Sequence, residues 1–352
     1  MTKRIEYIDA MRGFTIILVV YSHILTFGFG IYNSEYTSSF NSLLILFRMP
    51  LFFFISGFIF YKDNLFKNIQ ETKSFIKKKF IIQIISTLIF MVLFAYLMNE
   101  NLVKGITQDS YKLGYWFTIA LFEYFLLYLF LFYIDKLSHK KVLTSNIGLL
   151  LTGIIVRLLC SYSFLNLIGV ENFLINILSI NQMKYFIFFS LGIIIKRNFK
   201  EFERIIDKSI VLTVIIPIFF ILSFIFIKEN RFSNIWIEHF LLIILGLLGI
   251  ITTFSFFRKN EYYFQNESYT GKALQYIGRR TLDIYLIHYF FIPRNLDNPI
   301  VISLISNNPT IEFILSISLA LAVILLCLIT SNIIRTSPYL AHFLFGVKHK
   351  SD

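Results

Sequence analysis

The sequence has too little charge to cover the surface of a soluble domain of its length. Charged residues make up 15% of the 352 residues, hydrophobic residues make up 57%, and the mean hydropathy is +0.70. A soluble domain carries about 25% charged residues, because its surface must stay hydrated. The composition therefore excludes an ordinary soluble enzyme and favours helices embedded in lipid.

Glycine, proline and cysteine are also scarce, with 15, 6 and 2 residues respectively. So few glycines and prolines exclude a fibrous or low-complexity chain. The cysteines, Cys160 and Cys327, lie in apolar stretches and share no metal-ligand spacing, so we interpret them as packing thiols and expect no metal site. No small-residue cleavage pattern follows the first apolar run, which predicts a retained helix rather than a cleaved signal peptide.

Apolar runs long enough to cross a bilayer recur along the whole chain. The sequence predicts an all-α polytopic bundle of about ten transmembrane helices, at residues 13–31, 42–61, 80–98, 114–134, 146–163, 182–195, 209–227, 237–256, 281–303 and 312–334. The loops between these runs are too short to form another domain, and no internal repeat is present. We therefore expect a single transmembrane domain over 1–352.

Basic residues are distributed unequally between the two sides of these predicted helices. With the amino terminus inside, the inner segments carry 25 Lys and Arg residues and the outer loops carry 5. Cytoplasmic loops carry such an excess, so we expect both termini in the cytoplasm. The same distribution accounts for the net charge of +12. It indicates contact with anionic membrane lipids rather than nucleic acid, since the basic residues are not gathered on one domain face.

The first predicted helix carries an arginine and a histidine on one face. Arg12 and His23 are eleven residues apart, which leaves them within about 20° of each other and about 16 Å apart along the axis. Asp9, one turn earlier, is placed to pair with Arg12 or orient it. An arginine at the inner rim can hold a phosphate, and a histidine at mid-membrane can take a proton from a hydroxyl. On spacing alone, the favoured interpretation is structural, with Arg12 as a membrane anchor and His23 as a hydrogen-bonded core histidine.

Other predicted helices bring ionisable groups to similar depths. Glu123 and Arg157 lie about 14 and 16 Å from the ends of their helices, and Arg48 lies about 9 Å below the outer surface. Ionisable groups are costly in hydrocarbon, so we expect these side chains to line a polar cavity with His23. Glu123 would then orient or balance the histidine, and the arginines would bind an anionic donor or acceptor. A structural Glu–Arg pair is the alternative.

The predicted ninth helix adds Tyr285 and His288, three residues apart and on neighbouring faces. Either side chain can reach a substrate in the same cavity. For His288, an interhelical hydrogen bond is the simpler interpretation.

Four stretches of sequence resemble the acyltransferase-3 family of integral membrane O-acyltransferases. Residues 7–23 resemble its amino-terminal signature of an arginine, ten residues and a histidine. Residues 47–58 resemble its second helix, which ends in a Ser-Gly-aromatic turn, and residues 278–288 resemble its late Gly-x-x-Ser/Thr-x-x-Ile-Tyr-Leu-x-His segment. Residues 115–117 resemble the aromatic start of its fourth helix. Together, and in this order, they make the resemblance cover about 6–335.

The resemblance implies an enzyme of the cytoplasmic membrane of a bacterium. Its donor substrate would be acetyl-CoA or another acyl-CoA entering from the cytoplasm, with no permanently bound cofactor. Its acceptor would be a hydroxyl of a cell-surface carbohydrate or of the lipid-linked precursor.

The resemblance also implies roles for individual residues. Arg12, with Asp9, would bind a phosphate of CoA, and His23 would act as general base or first take the acyl group itself. Glu123 would orient the imidazole, and Ser56 or Tyr285 would contact the thioester or the acceptor. The remaining predicted members of the substrate cavity are Arg48, where many relatives have histidine, and Trp116, Arg157 and His288.

A function of a different class fits the same composition. A polytopic bundle with charged groups at mid-membrane also suits a transporter or a flippase for a lipid-linked glycan. Inverted repeats or paired broken helices would favour that alternative, and the sequence has neither. No sequence feature indicates an oligomeric state.

Overall fold

The computed structural model describes residues 5–30, 38–62, 66, 68–160, 171–229, 234–294 and 296–347, and every regular element within these ranges is helical. The first nine α-helices are α1 Glu6–His23, α2 Ser39–Phe60, α3 Ile69–Phe80, α4 Ser86–Met98, α5 Leu102–Thr107, α6 Trp116–Leu137, α7 Asn146–Leu159, α8 Asn172–Ile177 and α9 Phe186–Arg197. The remainder are α10 Phe199–Ile206, α11 Ser209–Glu229, α12 Ile235–Lys259, α13 Glu261–Phe264, α14 Tyr269–Arg279, α15 Thr281–Ile287, α16 Pro299–Asn307, α17 Pro309–Ile334 and α18 Pro338–Phe345.

Seven helical segments in the described part of the chain are long and apolar enough to cross a membrane. They are Glu6–Gly28, Ser39–Phe60, Ile69–Met98, Trp116–Leu137, Leu212–Glu229, Trp236–Lys259 and Pro309–Ile334. Each of them overlaps one of the predicted transmembrane segments. The chain is therefore a polytopic helical membrane protein.

Two of the remaining predicted segments correspond to shorter helices. The segment predicted at 146–163 is helical only as far as Leu159, and its last three residues lie outside the described residues. The segment predicted at 182–195 begins as a 3₁₀ turn and becomes α9 at Phe186.

The ninth predicted segment, 281–303, is interrupted in the sequence at Pro293, Arg294 and Asn295, and in the structure its first helix ends before that interruption. Helix α15 ends at Ile287, a 3₁₀ turn covers His288–Phe290, and regular helix resumes only at Pro299. Proline lacks a backbone N–H and suits the first position of a new helix. Asn298 caps that helix, because its side chain accepts a hydrogen bond of 2.9 Å from the Ile300 amide.

The stretch 62–79, interpreted from the sequence as an inner loop, is also partly helical. Helix α3 begins at Ile69, where the Asn68 side chain accepts a 2.7 Å hydrogen bond from the Glu71 amide. Lysines in its last turn interact favourably with the negative end of the helix dipole. The helix continues through a π-helical turn into α4. The charges of this stretch hid the helix from a search for apolar runs.

Several sequence predictions fall on residues that lie outside the described ranges. These are the chain ends at 1–4 and 348–352, residue 31 of the first predicted segment, and Asn295 of the ninth. Both cysteines are free, and Cys327 is buried.

The described residues group into two compact units. The first comprises those within Met1–Phe52 and Phe199–Ser331, and the second comprises those within Phe53–Asn198 and Asn332–Asp352. A single domain over 1–352 stays a prediction.

In the first unit, α1 and α14 approach each other closely enough to touch through their backbones. A Cβ atom built on Gly278 would lie 1.9 Å from the Asp9 carbonyl oxygen, and one built on Gly13 would lie 2.0 Å from the Leu274 carbonyl oxygen. Only glycine allows such an approach. This crossing fixes the amino-terminal half of α1, which carries Asp9 and Arg12, against the start of the 278–288 segment.

The second unit is built around aromatic side chains. Phe60 of α2 stacks on Phe125 of α6 with ring centroids 4.8 Å apart and contacts Phe189 of α9 at 5.4 Å. Two helical turns earlier in α2, the ring centroid of Phe53 lies 4.9 Å from that of Tyr124. Such pairs contribute about 0.5–1.5 kcal/mol each beyond the area they bury. They hold in register α6, which carries Glu123, and α9, which follows the 3₁₀ turn that contains Lys184, the partner of Arg157.

Candidate active site

Helix α1 carries three of the predicted site residues on one continuous element. Arg12 Nη1 lies 3.7 Å from Asp9 Oδ1, so the structure contains the expected ion pair. The Arg12 side chain is 28% exposed while the Asp9 side chain is 7% exposed, so a nearly buried carboxylate pairs with a partly exposed arginine. Because α1 is regular from Glu6 to His23, the eleven-residue spacing places Arg12 and His23 on one face.

At the other end of α1, two histidines meet. His23 Nδ1 lies 2.8 Å from Nε2 of His288, and the two rings are nearly parallel, with centroids 5.1 Å apart and an interplanar angle of 14°. His288 is fully buried and stands in the 3₁₀ turn that follows α15. The interhelical hydrogen bond considered for His288 from the sequence is therefore present, and its partner is the predicted catalytic histidine.

Aromatic rings hold the His23 imidazole on its other sides. Tyr289 stacks on it at 5.1 Å with an interplanar angle of 27°, and Phe27 meets it edge-on at 5.6 Å. Tyr285 lies 6.1 Å from the ring of His288. The Arg48 guanidinium interacts electrostatically with His23. A ring packed in this way has little freedom to rotate.

The backbone changes form directly after His23. Residues Ile24–Gly28 make a π-helical turn at the end of α1. Such turns are rare and are frequent at functional sites, because they re-aim the neighbouring side chains. The His23 ring is partly exposed, and within the described residues its Nε2 atom makes no hydrogen bond. The accessible nitrogen is thus the one that faces away from His288.

A buried carboxylate that the sequence analysis did not single out lies behind this site. Glu312 of α17 accepts hydrogen bonds from Tyr21 Oη at 2.9 Å and from Ser38 Oγ at 2.7 Å. Ser22, adjacent to His23, bonds to Asn41 of α2. Tyr21 lies two residues before the histidine, so these bonds brace the end of α1 against α2 and α17. The sequence signal that could have indicated this residue is the position of Glu312, an acidic residue at the start of a long apolar run.

Replacing Tyr21 by phenylalanine tests this brace. A hydrogen bond to a buried carboxylate contributes about 1.5–3 kcal/mol, so Tyr21→Phe is expected to lower the free energy of unfolding by that amount. The matched control is Tyr262→Phe, at a tyrosine that is 74% exposed, which should change stability little. Thermal unfolding in detergent measures both. Equal melting temperatures for the two variants would contradict the role of the bond.

The other predicted site residues belong to the second unit. Glu123 of α6 interacts electrostatically with Lys112, and its Oε2 atom is buried without a hydrogen-bond partner among the described residues. Lys112 donates to the Asn176 carbonyl, and burial lowers the pKa of this lysine. The charged neighbour of Glu123 in this unit is therefore a lysine that sequence reasoning did not consider.

Three further predicted residues complete that unit. Arg157 Nη1 donates to the Lys184 carbonyl at 3.1 Å. Trp116 stacks on Tyr185 with ring centroids 6.0 Å apart, and Ser56 of α2 is half-buried. That these residues share a cavity with His23, and that Glu123 orients its ring, stay predictions.

Comparison with known proteins decides the family. A family model described as an acyltransferase domain, Acyl_transf_3, matches residues 5–332. The chain belongs to the acyltransferase-3 family. The curated proteins and the solved structures gave no match.

Membership of this family, together with the seven long apolar helices, makes the protein a multi-pass membrane acyltransferase. An acyltransferase needs a base for its acceptor and a grip on its donor. In the first unit, His23 and Arg12 are the side chains that the sequence analysis assigned to those two tasks, and the assignment stays a prediction.

Proposed function

We propose that the protein is an O-acyltransferase that moves an acyl group, acetyl above all, from cytoplasmic acyl-CoA to a hydroxyl of a cell-surface carbohydrate or its lipid-linked precursor. The observation that carries the proposal is His23, a packed and partly exposed histidine on the same helix face as Arg12, in a member of an acyltransferase family. An imidazole with one accessible nitrogen is suited to take a proton from a hydroxyl.

The proposed topology has ten crossings, with both termini in the cytoplasm of a bacterium and the chain in its cytoplasmic membrane. The loop-by-loop excess of 25 basic residues against 5 supports this arrangement. Seven crossings are the long apolar helices. The other three would be made by the shorter helices around α7, α9 and the broken α15–α16 pair, which suits segments that line a cavity rather than face lipid.

In the proposed reaction, Arg12 binds a phosphate of CoA while Asp9 holds the guanidinium in place. His23 accepts the proton of the acceptor hydroxyl as its oxygen attacks the thioester carbon, or first takes the acyl group itself. Ser56 and Tyr285 contact the thioester or the acceptor.

The remaining residues assigned to the proposed site complete a substrate cavity. From the sequence and the family resemblance, Glu123 is proposed to balance charge near the imidazole, and Trp116 and His288 are proposed to line the cavity. Arg48 and Arg157 attract an anionic group of either substrate. The proposed partners are thus acyl-CoA, a glycan acceptor and membrane lipids.

Replacing Arg12 tests the donor site. Charge-assisted hydrogen bonds to phosphate contribute about 1.5–3 kcal/mol, so Arg12→Ala is expected to weaken acyl-CoA binding by about 10–100-fold. The acyl-CoA affinity of Arg12→Lys should lie between those of Arg12→Ala and the unsubstituted protein, because lysine keeps the charge without the planar guanidinium group. The control is Arg204→Ala, at an exposed arginine of α10. Unchanged affinity in Arg12→Ala, measured by isothermal titration, would remove Arg12 from the donor site.

Labelled acetyl-CoA separates an enzyme from a transporter or glycan flippase, the other class that suits a polytopic bundle. Purified protein is expected to bind acetyl-CoA saturably and to release free CoA thiol when an envelope glycan fraction is added. A transporter or flippase would neither bind acetyl-CoA nor consume it. Absence of both binding and thiol release would contradict the proposed function.

A further inference from the structure

The hydrogen bonds of His288 determine which of its ring nitrogens carries a proton. His288 Nδ1 lies 2.8 Å from the Tyr285 carbonyl oxygen and 3.0 Å from the Ile284 carbonyl oxygen. Carbonyl oxygens only accept hydrogen bonds, so Nδ1 must be the protonated nitrogen that donates to both. His288 is fully buried, and burial disfavours a charged ring. The ring is therefore neutral, and its Nε2 carries a lone pair.

The state of His288 in turn determines the state of His23. Nε2 of His288 can only accept, so the 2.8 Å contact requires His23 Nδ1 to be the donor. A neutral His23 with a proton on Nδ1 has its lone pair on Nε2. That nitrogen is the one left without a hydrogen bond among the described residues, on a ring that is partly exposed.

We propose that His288 is a positioning residue that holds His23 in the Nδ1–H tautomer, with Nε2 as the basic nitrogen of the site. The inference rests on the proposed function for its role in acyl transfer. A chain of donors runs from His23 Nδ1–H through His288 to two backbone carbonyls. A carboxylate performs the corresponding task for the histidine of a serine hydrolase triad. Here a neutral imidazole and two peptide dipoles perform it.

The proton balance of the reaction requires this tautomer. The acceptor O–H bond breaks and an N–H bond forms at His23 Nε2, while the new C–O ester bond forms and the thioester C–S bond breaks. His23, now protonated on both nitrogens, keeps its bond from Nδ1–H to His288 and returns the Nε2 proton to the CoA thiolate. A His23 with its proton on Nε2 has no lone pair facing the substrate and cannot begin this sequence.

The neighbours of the pair agree with a neutral starting state. Arg48 is a positively charged group of the first unit that interacts with His23, and like charges repel each other. Tyr289 stacks on His23 with ring centroids 5.1 Å apart and contacts the His288 ring in a tilted arrangement at 4.0 Å. The stack holds the rings at hydrogen-bonding distance.

Nitrogen NMR of the protein with ¹⁵N-labelled histidine reads the tautomer directly. The spectra are recorded at a pH high enough for the His23 ring to be neutral. The six histidines are assigned by single substitutions. We expect His23 to show a protonated Nδ1 and an unprotonated Nε2, and expect this preference to disappear in His288→Phe. A His23 with its proton on Nε2 in the unsubstituted protein would overturn the inference, whatever the protein catalyses.

Kinetics provide the second arm. Because phenylalanine keeps the packing and removes the acceptor, His288→Phe should lower kcat by about 10²-fold with the KM for acyl-CoA unchanged. In His288→Gln the amide oxygen can replace Nε2 as acceptor, so we expect rescue to within about tenfold of the unsubstituted enzyme, by the same positioning argument. Equal losses in both variants, with both folded by size-exclusion chromatography, would mean that His288 only packs.

The two arms separate the inference from the proposed function. The expected tautomer in a protein that transfers no acyl group would leave the His288 assignment standing and remove the proposed function. Acyl transfer by a protein in which His23 has the opposite tautomer would remove the His288 assignment and leave the proposed function standing.

Discussion

Replacing His23 by alanine is expected to lower the rate of acyl transfer by about 10²–10⁴-fold, the usual contribution of a general base. The imidazole is the base of the proposed reaction, and its neighbours position it without replacing it, since His288 is buried and bonded to two carbonyls. If His23 instead carries the acyl group, the loss should be larger still. The measurement is release of free CoA thiol by purified protein with acetyl-CoA and an acceptor glycan fraction.

The matched control is His342→Ala. His342 lies in α18, where its ring bonds to the Val347 carbonyl, and belongs to the second unit. This variant should keep full activity. Substantial activity in His23→Ala, or an equal loss in both variants, would remove His23 from the chemistry. A melting temperature within a few degrees of the unsubstituted protein would show that lost activity is not lost folding.

Adding a large side chain at Gly278 is expected to prevent the α1–α14 crossing from forming. Even a methyl group there would lie 1.9 Å from the Asp9 carbonyl oxygen and 3.0 Å from the Gly13 amide nitrogen. Both atoms are backbone and cannot rotate away. Alanine gains about 1 kcal/mol over glycine in a helix, while overpacking costs about 1–3 kcal/mol or more, so the steric term decides the sign. We expect Gly278→Ala to be destabilised and Gly278→Leu to yield no folded protein.

The substitution should also disturb the proposed donor site, because the backbone atom that must move belongs to Asp9, and the Asp9 side chain pairs with Arg12. Gly278→Ala should therefore bind acyl-CoA more weakly even where it folds. Ala273→Leu, at an exposed position of the same helix, is the control and should fold and bind normally. Thermal unfolding and acyl-CoA titration measure both effects. A fully stable Gly278→Leu would contradict the close crossing.

The sequence predicted the long helices well, for a physical reason. A segment that crosses a bilayer must be apolar over its whole length, and this requirement leaves a signal that needs no tertiary information. Pro309–Ile334, predicted at 312–334, shows how closely the boundaries follow. Helices that carry charge or end early leave no such signal. Helix α3 was missed on that account, and the end of α15 at Ile287 comes earlier than the interruption at Pro293 that the sequence shows.

The candidate site could be predicted only along a single helix. The spacing of Asp9, Arg12 and His23 follows from helical geometry, and their shared face on α1 agrees with it. The contact between His23 and His288 depends on how α1 packs against the 3₁₀ turn after α15, and sequence spacing carries no information about that. The same limit applies to Glu312, which meets Tyr21 across 291 residues of chain.

The most direct test of the central claim follows the acyl group to its product. Membranes containing the protein are incubated with acetyl-CoA labelled in the acetyl group, and the carbohydrate fraction is treated with mild alkali. We predict label on the carbohydrate as an ester that alkali releases as acetate, and no such label with His23→Ala. Label that stays on CoA, or equal labelling by the two proteins, would contradict the account.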